Sequence, residues 1–235
     1  MKKASVLLLF ISICSSNLWA QDSTLVTIKA GNRIKDVLTP ADVFSYPQFT
    51  SGKVYFKDGS KAMAKMNYSR LSDQMLFIGP KGDTLELADE KTIKLIAIDK
   101  DTFYYDEGYV RIIADYGAVK LAEKKIWVVA DFRKVGTHNT AKSSVAITSL
   151  GTYSDEGARA KSYDLVINEN IIIRKETQYY FGDTHNRFAR AGKKRLLLLL
   201  PKEELSIETY LKENKVNFDK KEDVERLVQF LGKSH

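Results

Sequence analysis

Asp99, Asp101, Asp106 and Asp183 are the side chains whose type and setting could support acid–base or hydrolytic chemistry, provided that folding brings them together. Their spacing along the chain does not do so by itself. Asp99, Asp101, Asp106 and Glu107 have the look of a calcium loop, yet Phe103 and Tyr104 stand where an EF-hand needs an oxygen ligand and a glycine. Asp183-Thr184-His185 offers two metal ligands or an acid–base pair, although a solvent-facing turn is the commoner use of such a triplet. The histidines His138, His185 and His235 form no His-Glu-x-x-His helix. Ser154, in Gly151-Thr152-Tyr153-Ser154-Asp155, lacks the glycine spacing of a nucleophile elbow, and neither a phosphate-cradling loop nor a dinucleotide fingerprint occurs. No catalytic residue, metal ligand or cofactor is expected from motifs, and hydrolysis by acids that meet only in the fold is the alternative.

What remains is aromatic and basic surface. Tyr55, Tyr68, Tyr104 and Tyr105 fall in extended segments, where a tyrosine ring can stack on a sugar while its hydroxyl stays wet. Aromatic residues also favour strands for packing alone. Arg187, Arg190, Lys193 and Lys194 form a basic set suited to phosphates or acidic lipids, and equally suited to a solvated helix face. These eight residues are the candidate binding positions.

The elements that must position them are mostly strands. From Gly52 to Asp131 apolar and polar residues alternate between recurrent turn residues, which predicts a multi-stranded antiparallel sheet. Val54 and Phe56, the Asp58-Gly59 turn, then Ala62, Ala64, Met66 and Tyr68 set against Lys61, Lys65 and Asn67 describe one hairpin. Met75 to Ile78, Gly79-Pro80-Lys81-Gly82-Asp83 and Thr84 to Leu87 describe a second. Thr92 to Ile98, Thr102 to Tyr105, Tyr109 to Ala114, Ala118 to Leu121 and Ile126 to Ala130 continue the series, with connections short enough to imply antiparallel neighbours. Leu25 to Ile28 reads as a short strand that leads into the sheet or forms one of its edges, and Thr39-Pro40-Ala41-Asp42 as a helix start or a turn.

Residues 132–161 are rich in Gly, Ser, Thr and Ala and read as a long loop, a place for ligand contact or disorder. Ser162 to Ile167 and Asn170 to Phe181 resume strands, with Ile171-Ile172-Ile173 suggesting burial on both faces. The period then changes. Phe188 to Leu200 reads as a basic, leucine-rich helix stopped by Pro201, Glu203 to Lys212 as a second helix, and Asp219 with Glu222 as the capping box of a third. Val224, Leu227, Val228 and Leu231 give that last helix one apolar stripe. The expected fold is α+β and mainly β: an antiparallel meander, as a sandwich or an open barrel-like roll, with two or three short C-terminal helices. Its expected divisions are a signal peptide 1–20, a lead-in 21–51, a β-domain 52–181 containing the loop, and a helical segment 182–235 packed on the sheet.

Lys2 and Lys3, the apolar run Val6 to Ile13 and the small-residue ending at Ala20 read as a secretory signal cleaved before Gln21. The run is about half the roughly 20 residues of a membrane helix, and no later segment is long enough to span a bilayer. Cys14, the only cysteine, lies inside this leader behind the bulky Ile13, so it is read as a leader residue and not as a lipid attachment point. Cleavage would leave a chain free of disulfides and thiolate sites. It would also remove two of the 37 basic residues and none of the 30 acidic ones, lowering the net charge from +7 to +5. A modest basic excess suits anionic envelope surfaces, and an exported protein seldom meets nucleic acid.

Gly52-Lys53-Val54-Tyr55-Phe56, Met66-Asn67-Tyr68, Gly82-Asp83-Thr84-Leu85 and the ending Tyr210 to Phe218 followed by Glu222-Asp223-Val224 resemble a family of uncharacterised exported proteins of Bacteroidetes-type bacteria. The resemblance implies an envelope location and a shared fold, and carries no reaction with it. Such bacteria often mark onward secretion with a separate C-terminal sorting domain. The amphipathic ending here points instead to the periplasm or the outer membrane, with a protein, glycan or anionic lipid as the expected partner. Expression of the full chain in a Gram-negative host should yield an envelope protein whose amino terminus is Gln21; intact-mass measurement of a cytosolic protein that begins at Met1 would refute the leader.

Overall fold

The computed structural model describes residues 25–133, 166–167 and 169–233. Eleven strands form one open antiparallel sheet: β1 (Leu25–Ile28), β2 (Thr50–Phe56), β3 (Lys61–Ser69), β4 (Gln74–Ile78), β5 (Thr84–Glu86), β6 (Ile93–Ile98), β7 (Asp101–Tyr105), β8 (Tyr109–Asp115), β9 (Lys120–Arg133), β10 (Asn170–Gly182) and β11 (Phe188–Arg190). The spatial order is β1-β10-β9-β8-β7-β6-β2-β3-β4-β5, with β11 beside β10. Helix α1 (Pro40–Val43) lies between β1 and β2; α2 (Lys193–Leu199), α3 (Glu204–Glu213) and α4 (Lys221–Lys233) follow the last strand. The mainly β, antiparallel architecture with short C-terminal helices is the one the alternation calls for.

The two hairpins form as their turn residues dictate. Gly59 takes φ +90° beside Asp58, a conformation that costs a glycine nothing, and β2 pairs β3 from Thr50↔Met66 to Tyr55↔Lys61. After β5, however, the chain does not add a neighbour to it. Residues 87–92 carry it back to the free side of β2, where β6 pairs with Ile98 opposite Gly52. A short connection thus joins two strands that run in the same direction with three others between them, against the expectation that it would join antiparallel neighbours.

Curvature makes that possible. In a flat sheet β3 and β8 would lie about 19 Å apart, four strand spacings. Yet the Tyr68 ring of β3 lies 6.3 Å from that of Tyr109 on β8 and 5.9 Å from that of Phe103 on β7. The sheet therefore rolls, and Val54, Met66, Tyr68, Met75, Ile96, Ile98, Phe103 and Tyr109 fill its inside as one buried cluster. Gly52 allows the tight curve, because a Cβ there would lie 2.8 Å from the sulfur of Met66.

Four expectations are corrected. Lys120-Leu121 and Ile126 to Ala130 belong to a single 14-residue strand, β9, because Glu123-Lys124-Lys125 between them is not a turn, while Ala118 and Val119 lie in the connection before it. Phe188 to Leu200 is not one helix: Arg190 lies on β11, paired with Tyr180, and α2 starts only at Lys193. The local cause is Asp183, whose carboxylate accepts hydrogen bonds from the backbone N–H groups of His185 and Arg187, both at 2.9 Å, folding these residues into a turn. The Asp219–Glu222 box does not form, since α4 begins at Lys221 and Asp223 reaches back to the Asn217 N–H at 2.9 Å. Of the three isoleucines, Ile171 and Ile173 are fully buried while Ile172 is half-buried. The expected loop 132–161 lies outside the described residues after Arg133, as does most of the expected strand Ser162 to Ile167; Val166 bridges Arg33.

The two ends of the roll are covered differently. Val224, Leu227, Val228 and Leu231 of α4, with Leu196 and Ile207, bury Val119, Leu121 and Phe181. At the other end the segment from β1 to Phe44 packs Ile28, Ile34, Leu38 and Val43 on Trp127, Val129, Ile171 and Ile173. Asp42 fastens that strap. Its carbonyl accepts from the Trp127 indole N–H at 3.1 Å, and its carboxylate meets Lys175 Nζ at 2.7 Å. The hydrogen bond from Lys175, joined by the one from Thr39, holds the Asp42 carboxyl down at about 2 from the ordinary 3.8.

A carboxyl depressed in the folded state contributes stability that is complete above its unfolded pKa and is lost as pH falls through the folded one. Asp42→Asn should therefore lower the urea midpoint near neutrality, with the gap to wild type closing between about pH 5 and pH 2. A pH-independent gap would show that ionisation of Asp42 contributes nothing.

Candidate functional site

The roll leaves one outer face whose composition is unusual. Period-2 alternation buries Val54, Ile96 and Ile98 and turns the intervening residues outward. In register across β2 and β3 these are Tyr55 beside Lys61, Lys53 beside Met63, and Ser51 beside Lys65. On the other side of β2, Leu95 and Ala97 of β6 continue the rows, and Thr102 of β7 follows Ala97. Carboxylates are absent from every one of these register positions. Among the described residues none of Lys53, Lys61 and Lys65 forms an ion pair, and Met63 stands 70% exposed between them. The amines of Lys53 and Lys61 lie 5.8 and 5.4 Å from the centroid of the Tyr55 ring.

Of the eight positions chosen from sequence, Tyr55 alone lies among these lysines. Tyr104 follows Thr102 on the same side of β7, half-buried, its ring 5.5 Å from Phe188, and burial pushes its hydroxyl pKa up. Tyr105 packs edge-on against Tyr109 at 5.1 Å. Tyr68 is only 4% exposed and donates to Asp73 Oδ1 at 2.6 Å, so it serves the core. Arg187 is held by Asp183 at 2.6 Å and Arg190 by Glu176 at 3.2 Å. Lys193 and Lys194 border a notch of about 490 Å³ with Leu197, Leu198 and Glu204. That notch has exposed leucines nearby, Leu198 at 74% and Leu205 at 80%, but Glu204 and a Lys193–Glu208 pair at 3.4 Å offset its charge. Lys53, Lys61, Lys65 and Met63 were not among the sequence candidates; their signal is the alternation Lys61-x-Met63-x-Lys65 beside Lys53-x-Tyr55.

Charge inside the roll is arranged in the opposite way, by mutual pairing. Arg111 joins Asp101 at 2.8 Å to Glu123, and Lys125 reaches Glu123 at 3.3 Å. Tyr46 donates its hydroxyl to Asp101 at 2.7 Å. Burial works to lower the Arg111 pKa, but the hydrogen bonds to Glu123 and Asp101 outweigh it and hold it up. Lys124 donates to Asp73 at 2.8 Å, so the carboxylate of Asp73 is shared between Lys124 and Tyr68. Burial first, then Asp73, pushes the Tyr68 hydroxyl well above its ordinary value. Between the two clusters a cavity of about 20 Å³, one water molecule's worth, is lined by Tyr68, Tyr109, Arg111, Glu123 and Lys124.

Three of the four acids considered for catalysis are engaged by separate partners, and the fourth sits in a turn. Asp101 is held as above, Asp106 accepts from the Phe188 N–H at 2.6 Å, and Asp99 occupies a turn at φ +52°. Burial would raise the Asp183 carboxyl, but the N–H groups of Arg187 and His185 and the Arg187 guanidinium bring it below its ordinary value. His185 Nδ1 lies 3.8 Å from Asp183 with its ring exposed. Among the described residues no three His, Cys, Asp or Glu side chains are placed to share a metal ion. No helix among them is long and apolar enough to cross a membrane. Compared with protein-family models, with curated proteins and with solved structures, the chain matches none.

Removing one partner of a buried ion pair strands the other. Asp73→Ala should therefore cost about 3–5 kcal/mol in chemical denaturation, and adding Lys124→Met should recover part of it. A double variant that costs the sum of Asp73→Ala and Lys124→Met measured singly would show that the pair carries no coupling.

Proposed function

We propose that this protein is exported to the cell envelope and works there by binding, presenting the outer face of β2, β3 and β6 to an anionic partner. The single observation behind this reading is that three lysines share that face with no carboxylate beside them. Charge repulsion among amines is tolerated on a surface, but nothing in the fold rewards placing them together, whereas every buried cation named above has a carboxylate. Unneutralised ammonium groups raise the local potential, which concentrates anions and steers them in. Lysine suits this task, because its flexible stem lets one ammonium adapt to phosphates or carboxylates of varied geometry.

The notch at α2 is a weaker interface for an anion, since its own acids neutralise much of its charge. The export reading is supported by the Lys2-Lys3 leader and by the resemblance to exported proteins.

Binding of this kind should weaken with salt, because contacts between exposed charges are screened beyond about 10 Å at 0.1 M. The mature protein should co-sediment with washed envelope membranes at about 50 mM salt and be released at about 500 mM. Lys53→Glu/Lys61→Glu/Lys65→Glu, folded by circular dichroism, should bind at least about tenfold more weakly, as expected for several exposed contacts of about 0.2–1 kcal/mol each. Salt-independent sedimentation, or a triple variant that binds like wild type, would overturn the reading.

A further inference from the structure

Resting on that reading, we propose that the anionic partner is an acidic polysaccharide, lying across β2 and β3 with one sugar ring on Tyr55. Tyr55 is half-exposed and bracketed by the amines of Lys53 and Lys61 at 5.8 and 5.4 Å from its centroid. An aromatic ring offers its face to the C–H side of a sugar, and ammonium groups at its rim meet carboxylate, sulfate or phosphate groups at the edge of that sugar. An exposed cation–π contact holds a lysine by only about 0.5–1 kcal/mol, so either amine can swing to an anion.

The length of the face argues for a polymer. Lys61 and Lys65 lie four residues apart on β3, about 13 Å, with Lys53 between them on β2. Cations spread over that distance match anions that repeat along a chain better than one compact headgroup. Met63, exposed between Lys61 and Lys65, adds apolar contact for the next sugar.

Two other anionic surfaces fit less well. An interfacial anchor sinks a broad apolar stripe into a bilayer, whereas Met63, at 70%, is the one strongly exposed large apolar side chain on this face and the two most exposed leucines, Leu198 and Leu205, lie on α2 and α3. Single-stranded nucleic acid is held by successive stacking rings, and here one ring lies among the lysines.

The test is titration of the mature protein with polygalacturonate, dextran sulfate, neutral dextran, phosphatidylglycerol vesicles and an oligothymidine. Binding of an acidic polysaccharide but not of dextran is expected. Tyr55→Ala and Lys53→Gln/Lys61→Gln should each weaken that binding about tenfold or more, while Tyr55→Phe retains it and Lys193→Gln/Lys194→Gln leaves it unchanged. Thermal melts of each variant separate lost binding from lost folding. Binding to vesicles or oligothymidine without either acidic polysaccharide would reject the polysaccharide and leave the anionic-partner reading standing. Absence of binding to every anionic probe would reject both.

Discussion

The structure depends on how three consecutive charges, Glu123-Lys124-Lys125, are taken into the middle of β9. An unpaired ion in an apolar interior costs several kcal/mol, so a strand with such a centre is stable only if its partners arrive with it. They arrive from distant parts of the chain: Arg111 from β8 for Glu123, and Asp73 from the turn after β3 for Lys124. The neighbouring backbone bond, from the Trp127 N–H to the Arg70 carbonyl at 2.9 Å, pins the same turn to β9. Beyond Glu123 the side of β9 toward β8 has no strand partner, and it is there that the turn docks. The ion pairs thus hold the roll closed enough to enclose a core, although the sheet itself stays open.

Rolling the sheet separates two kinds of surface. Inside, the charged side chains named above are matched, and hydroxyls such as that of Tyr68 are committed to carboxylates. Outside, β2 and β3 carry cations with no matching acid. The proposal of an anionic partner rests on this contrast, because a lysine cluster within a network of pairs would carry no information, and one whose register neighbours hold no carboxylate does. The covering helices leave the outer face of β2 and β3 open, since α4 and α1 occupy the two ends of the roll.

Much of the architecture was legible where local physics decides. Asp58-Gly59 and Gly79-Pro80-Lys81-Gly82-Asp83 announce hairpins, and the stripe of Val224, Leu227, Val228 and Leu231 announces α4. Elsewhere tertiary pairing overrode local preference. Glu123-Lys124-Lys125 looks like a break until Arg111 and Asp73 are brought alongside, and Phe188 to Leu200 looks like one helix until Asp183 bends the chain into a strand pair. The return of β6 to β2 leaves no local mark at all. The same limit applies to the candidate site. Tyr68 alternates in phase with Ala64 and Met66, whereas Tyr55 alternates out of phase with Val54, so the pleat sends one into the core and the other outward, and the curl then closes other strands over Tyr68. Lys53 and Lys61 become neighbours only once the register of the hairpin is known.

The claim that the lysine–tyrosine face is the working surface is tested most directly by mapping it. In ¹⁵N-labelled mature protein titrated with an acidic oligosaccharide, amide shifts should concentrate on Ser51 to Tyr55, Lys61 to Lys65 and Leu95 to Ala97, leaving α2 and α3 unmoved. Shifts centred on Lys193 to Leu205, or on the Asp183 turn, would contradict the account.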